Sequence, residues 1–138
     1  MHRLYKVSIT IAVAALGLVA GAGASAVDVK VKLSGAEEVP PVQTQASGSG
    51  TITVGDDGAV SGSITTTGVE AKAAHIHMGE AGTAGPVIVP LVKDGSTFKV
   101  AAGAKLTGEQ QKAFLAGGLY VNVHSAAHPT GEIRGQIK

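Results

Sequence analysis

Ala73-Ala74-His75-Ile76-His77-Met78-Gly79 alternates residue by residue, with two imidazoles on one side of the chain and Ala74, Ile76 and Met78 on the other. Successive side chains of an extended chain point to opposite faces, so the stretch reads as a strand on which His75 and His77 are same-face neighbours, about 6.5 to 7 Å apart. Two ring nitrogens so spaced can converge on one metal ion. For a His-x-His segment taken alone, the competing reading is a pair of ordinary polar residues on a half-exposed strand.

Working outward, the same period of two recurs on both sides. Upstream, Val27, Val29, Val31 and Leu33 share a face against Asp28, Lys30 and Lys32; Ile52 and Val54 share another, as do Val60, Gly62 and Ile64. Gly55-Asp56-Asp57-Gly58 is a hairpin turn signal between the last two, and the prolines of Glu37-Glu38-Val39-Pro40-Pro41 make Ser34 to Gln45 an irregular connection. Downstream, the glycine-rich run Gly79 to Pro86 leads into Val87 to Val92, where Pro90 predicts an edge strand or a bulge. Lys93-Asp94-Gly95-Ser96 then turns the chain into Thr97 to Val100.

Thr107 followed by Gln110 predicts a capping box, and Gly117-Gly118 a helix stop. Together they bound one helix of about ten residues, which Phe114 and Leu115 pin to the sheets. After it, Leu119, Val121 and Val123 face inward and Tyr120, Asn122 and His124 outward, so His124 repeats the parity of His75 and His77. In the last strand Ile133, Gly135 and Ile137 are inward and Glu132, Arg134 and Gln136 outward. The fold predicted is all-β: an antiparallel Greek-key β-sandwich or barrel of about eight strands with one short helix. Val31, Ile52, Ile64, Ile76, Val89, Val121 and Ile133 occupy the apolar parity of their segments and form its core.

The chain opens with a basic head (His2, Arg3, Lys6), an apolar run from Val7 to about Ala20, and the small residues Ala22-Gly23-Ala24-Ser25-Ala26. That order is the pattern of a secretory signal peptide with an A-x-A cleavage site, and the apolar run is short for a membrane span. Residues 1–26 are thus expected to be removed on export to the periplasm or the extracellular space, leaving a single domain at 27–138 with no stable membrane span. Losing Arg3 and Lys6 turns eleven basic and ten acidic residues into nine and ten, a net charge of −1. No basic patch or interleaved aromatic ladder remains, which excludes nucleic acid as a partner. Cysteine is absent, so no disulfide or lipid-bearing cysteine contributes. Aromatic residues make up 3% of the chain and tryptophan is absent, so a domain of about 112 residues must build its core from β-branched side chains.

Four motifs carry a family resemblance: Leu33-Ser34-Gly35-Ala36-Glu37-Glu38-Val39-Pro40-Pro41-Val42, the His-x-His strand, Gly85-Pro86-Val87-Ile88-Val89-Pro90-Leu91, and Leu119 to His124 followed by Pro129-Thr130-Gly131-Glu132-Ile133-Arg134-Gly135-Gln136. In this order they resemble the CHRD (chordin) domain family over nearly all of the mature chain. The resemblance implies a secreted all-β module, found in animal chordins that bind growth factors and widely in bacterial exported proteins, with no established catalytic activity. More locally, Gly68 to His77 followed by Ala84-Gly85-Pro86 is similar to the segment of copper–zinc superoxide dismutases in which a His-x-His strand leads to Ala-Gly-Pro-His. There the likeness implies copper ligands at His75 and His77 and, late in the chain, at His124. Val87 stands where that family has its metal-bridging histidine, and the family's disulfide cysteines and zinc-loop ligands have no counterpart.

The candidate site is therefore a mononuclear one of His75, His77 and His124, with His128 as an optional fourth ligand and copper or zinc as the ion. Asn122, Glu132 and Arg134 are candidates to orient a ligand or hydrogen-bond the histidines, although alternating charges on an outer strand face are more often a solvated surface. No nucleophile, base and acid stand in a catalytic order, and the glycine loop lacks the Lys-Ser/Thr ending of a phosphate cradle, so no catalytic residue is assigned. The leading function is a non-enzymatic binding module for a protein or envelope ligand. The alternatives are a copper-dependent redox enzyme of dismutase type and a structural envelope protein.

Overall fold

The structure is a computed structural model that describes residues 25–138. The expected signal segment lies outside the described residues except for Ser25 and Ala26. In chain order the strands are β1 (Ala26–Ser34), β2 (Ser47–Gly55), β3 (Val60–Thr67), β4 (Ala71–Met78), β5 (Val87–Asp94), β6 (Thr97–Val100), β7 (Leu119–Ser125) and β8 (Ile133–Gln136). A 3₁₀ turn at Gly35–Glu37 follows β1, and a helix α1 (Gly108–Leu115) lies between β6 and β7. All pairings are antiparallel, and the strands close into a barrel in the order β1-β2-β3-β6-β5-β4-β7-β8. The hairpin-linked run β4-β5-β6 lies with β3 beside β6, a Greek-key crossover of the kind expected.

The inward parity holds at every core position predicted from the alternation. Val31, Ile52, Ile64, Ile76, Val89, Val121 and Ile133 are all buried, joined by Phe98, Leu119, Val123 and Ile137. A small-residue core suffices because the strands come close together. A Cβ on Gly135 would stand 2.3 Å from the carbonyl oxygen of Lys32, so only glycine lets β8 approach β1 and close the barrel. The turn Gly55 to Gly58 joins β2 to β3, and Thr107 and Gln110 form the reciprocal capping box at the start of α1.

Three expectations are corrected. Val27 is 49% exposed and Val29 only half-buried, because the inner face of β1 is covered from Val31 onward. Leu115 is 79% exposed, so Phe114 alone anchors α1 from that pair; the helix lies across one end of the strands, tied by Gln111 Nε2 donating to the carbonyl of Asp56 at 3.2 Å. Pro90 is not on an edge strand, since β5 pairs with both β4 and β6. It lies one residue outside the β5–β6 ladder, which begins at Leu91, and near a bulge: Ile76 and His77 pair with Val89 and Val87, leaving Ile88 as the extra residue.

Candidate metal centre

Greek-key connectivity makes β4 and β7 neighbours, and their register sets the outer-face rows as Ala73 opposite His124, His75 opposite Asn122 and His77 opposite Tyr120. Ala73 offers no bulk across from His124, and the His124 ring comes to 4.9 Å from that of His75, centroid to centroid. His75 and His77 are 5.7 Å apart and His77 and His124 6.0 Å, closing a triangle of imidazoles on the outside of the barrel. One ring nitrogen from each of the three lies within 4.8 Å of the others.

The hydrogen bonds decide which nitrogens are free. His77 Nδ1 is 2.9 Å from the carbonyl of Gly85, and His124 Nδ1 is 3.0 Å from that of Pro129. A carbonyl only accepts, so each Nδ1 carries a proton and donates, and in the neutral form of each ring the lone pair is on Nε2. Those two Nε2 atoms and His75 Nδ1 are the buried side-chain polar atoms without a hydrogen-bond partner among the described residues. Buried polar groups are normally satisfied, so three orphans in one cluster call for a common explanation. Burial, with the neighbouring His124 and His77, lowers the pKa of His75 below its ordinary value. Burial also lowers that of His77, against the opposing effect of its bond to Gly85 and with the help of His124 and Arg134. Both rings are thereby favoured in the neutral form that ligates metals.

Two loops hold the anchoring carbonyls. In Gly79 to Pro86, the Gly85 amide donates to Tyr120 Oη at 2.9 Å, and a Cβ at Gly85 would lie 1.7 Å from the Met78 carbonyl oxygen, which requires glycine there. Tyr120 stacks on His77 with ring centroids 4.8 Å apart and an interplanar angle of 9°. Arg134 Cζ sits 3.5 Å above the centre of the Tyr120 ring. Pro129 belongs to the turn after β7, where Ser125 Oγ accepts from the His128 amide at 3.1 Å and donates to Glu132 at 2.7 Å. Thr44 Oγ1 donates to the other Glu132 oxygen at 2.8 Å.

His75, His77 and His124 are thus brought together, while His128 is not part of the cluster: it lies on the turn near Glu38 and Glu132. Asn122, Glu132 and Arg134 are buried rather than solvated, because the loops cover this outer face. Asn122 donates to Glu38 and to the carbonyl of Ile133, pinning the β1–β2 connection rather than a histidine. Burial raises the Glu38 carboxyl above its usual value, outweighing the Asn122 bond and the nearby Arg134. For Glu132 burial acts upward too, but the bonds from Ser125 and Thr44, with His128, bring its pKa below the ordinary value. Sequence reasoning missed Tyr120 and Glu38 as parts of this region. Tyr120 shared the outward parity of His124, the one signal that pointed to it; Glu38 carried none, since its position depends on how an irregular connection folds.

These features define a closed antiparallel β-barrel with a three-histidine cluster on its outer wall. A family model described as CHRD domain matches residues 29–137, and the chain belongs to that family. No curated protein and no solved structure matches the chain, so the local likeness to the dismutase segment rests on its residues alone.

Proposed function

We propose that the protein is an exported, non-enzymatic binding module of the CHRD family that holds one copper or zinc ion through His75, His77 and His124. The observation that carries this reading is the coincidence of three buried, partnerless ring nitrogens within one cluster. Ligand nitrogens 2.0 to 2.1 Å from a tetrahedral ion stand about 3.4 Å from one another, so modest ring rotations from the 4.8 Å limit bring these nitrogens onto one ion. Backbone carbonyls on the opposite nitrogens of His77 and His124 are the supports that metal-ligating histidines ordinarily have. Three imidazoles suit copper or zinc and leave a position open to a further ligand.

A binding role is preferred to dismutation because Val87, and not a second-metal ligand, faces His77 across the β4–β5 ladder. The ligand of the module is a protein or envelope component, and export rests on the order of basic head, apolar run and A-x-A site in Met1 to Ala26.

Thermal unfolding of the tag-free domain with and without metal tests the site. Copper(II) or zinc at about 100 times its Kd should stabilise the native state by about 2.7 kcal/mol. His77→Ala should abolish most of the resulting Tm increase, measured against the variant's own metal-free Tm. Equal metal-induced shifts in the parent and in a His75→Ala/His77→Ala double variant would reject the site.

A further inference from the structure

Arg134 is 2% exposed, yet all its hydrogen-bond acceptors are neutral. Its Nη1 donates to the carbonyl of Thr83 and one Nη2 bond goes to the carbonyl of Glu80, both at 2.8 Å. Nε and Nη2 also donate to Gln136 Oε1, at 3.2 and 2.8 Å, and the Gln136 amide in turn donates to the carbonyl of Gly79 at 3.1 Å. Thus three carbonyls of the glycine-rich loop, Gly79, Glu80 and Thr83, are bound from β8. Within the loop itself the Thr83 amide reaches the Glu80 carbonyl at 3.0 Å, and residues 80–84 are exposed. The guanidinium is therefore the main fastening of the exposed part of this loop, and its planar fork matches two carbonyls and an amide oxygen in a way that a lysine ammonium does not.

The same guanidinium covers the Tyr120 ring, which stacks on His77, while Tyr120 Oη accepts from the amide of Gly85. Both routes end at His77: one sets the plane of the ring, and the other sets the carbonyl that takes its Nδ1 proton. We propose that Arg134 is the positioning residue of His77, clamping the loop 79–86 so that Gly85 fixes the Nδ1–H tautomer and Nε2 is presented to the cluster. The consequence for metal affinity rests on the three-histidine reading above; the tautomer itself does not. His124 supplies an internal reference, because its Nδ1 is anchored on Pro129, in a different turn.

Long-range proton–nitrogen correlation spectra of the histidine rings in the metal-free domain test this. The parent should show both His77 and His124 as Nδ1–H tautomers. In Arg134→Gln, His77 should average between its two tautomers while His124 keeps its parent signals, and zinc affinity should fall 10- to 100-fold. Arg134→Lys should share the change at His77, since it restores the charge without the fork. An Nε2–H tautomer at His77 in the parent, an unchanged His77 in Arg134→Gln, an equal disturbance of His124, or parent-like zinc affinity despite an altered His77 would each overturn the proposal. If Arg134→Gln does not fold, Tyr120→Phe keeps the stacked ring and deletes the phenol's two bonds to Gly85, the one accepted from the amide at 2.9 Å and the one donated to the carbonyl at 3.4 Å; it should shift His77 the same way, and a parent-like His77 there would refute the clamp. A parent that binds no metal but shows the expected tautomer pattern and its loss in Arg134→Gln keeps the positioning role of Arg134 and removes the metal reading instead.

Discussion

His75 and His77 are ring systems whose burial holds their pKa values below the ordinary histidine value of 6.5. In the unfolded chain they protonate near that value, whereas in the native barrel they resist protonation until lower pH. Their contribution is therefore fully present above about pH 6.5 and is lost as pH falls below it toward the lowered native values. The metal-free domain should lose urea resistance between pH 7 and pH 5.5, by at most about 1.4 kcal/mol per pH unit for each ring. A His75→Gln/His77→Gln variant should show a flatter profile over that range; a parent profile no steeper than that of the variant would contradict the burial argument. The carboxylates act in opposite senses at more acid pH. Glu38, raised in the native state, favours folding as pH drops toward 4.5, and Glu132, lowered, disfavours it below that value.

At the level of the strands, alternation made most of the fold legible, because a period of two with one apolar parity assigns the inside and outside of each segment without knowledge of its neighbours. Val121 shows this well: it pairs with Ile76 on β4 and Gly135 on β8 and is wholly buried. Val121→Asp would place a carboxylate among Ile, Val and Leu side chains with no partner, at a cost of about 4 kcal/mol or more. The expected result is loss of the cooperative unfolding transition, and a variant with the parent's urea midpoint would show the register to be wrong. Parity also gave the outward direction of all three histidines, but not that β4 and β7 are neighbours: they are separated in sequence by two strands and a helix, and only the crossover topology pairs them. The burial of Asn122, Glu132 and Arg134 was hidden for a related reason. What covers an outer face is a pair of irregular loops, and their path is set by side-chain-to-carbonyl bonds that carry no periodic signature.

For the whole molecule, the order of basic head, apolar run and small residues predicts removal of Met1 to Ala26. Intact-mass measurement of protein recovered from the exported fraction should give a chain beginning at Val27; an exported protein retaining the first 26 residues would refute the assignment. Such cleavage costs the barrel the pairing of Ala26 with Gly55 and the bonds from Ser25 to Asp56, all at the exposed end of β1. The buried half of that strand, from Val31, is untouched.

The junction of β1 with β8, where Ser34 pairs with Arg134 and Gly135 abuts Lys32, has a consequence in time. The two partners are a hundred residues apart in sequence, a long loop to close and a slow contact to form. A chain that emerges from its amino end displays all three histidines before the arginine of β8 appears. Until then the guanidinium fastening of the glycine loop is missing, while β4 and β7, which carry the three imidazoles, are already complete. The glycine loop, and with it the Gly85 carbonyl that accepts the His77 Nδ1–H, is thus fastened from β8 only after the strands bearing the histidines are complete.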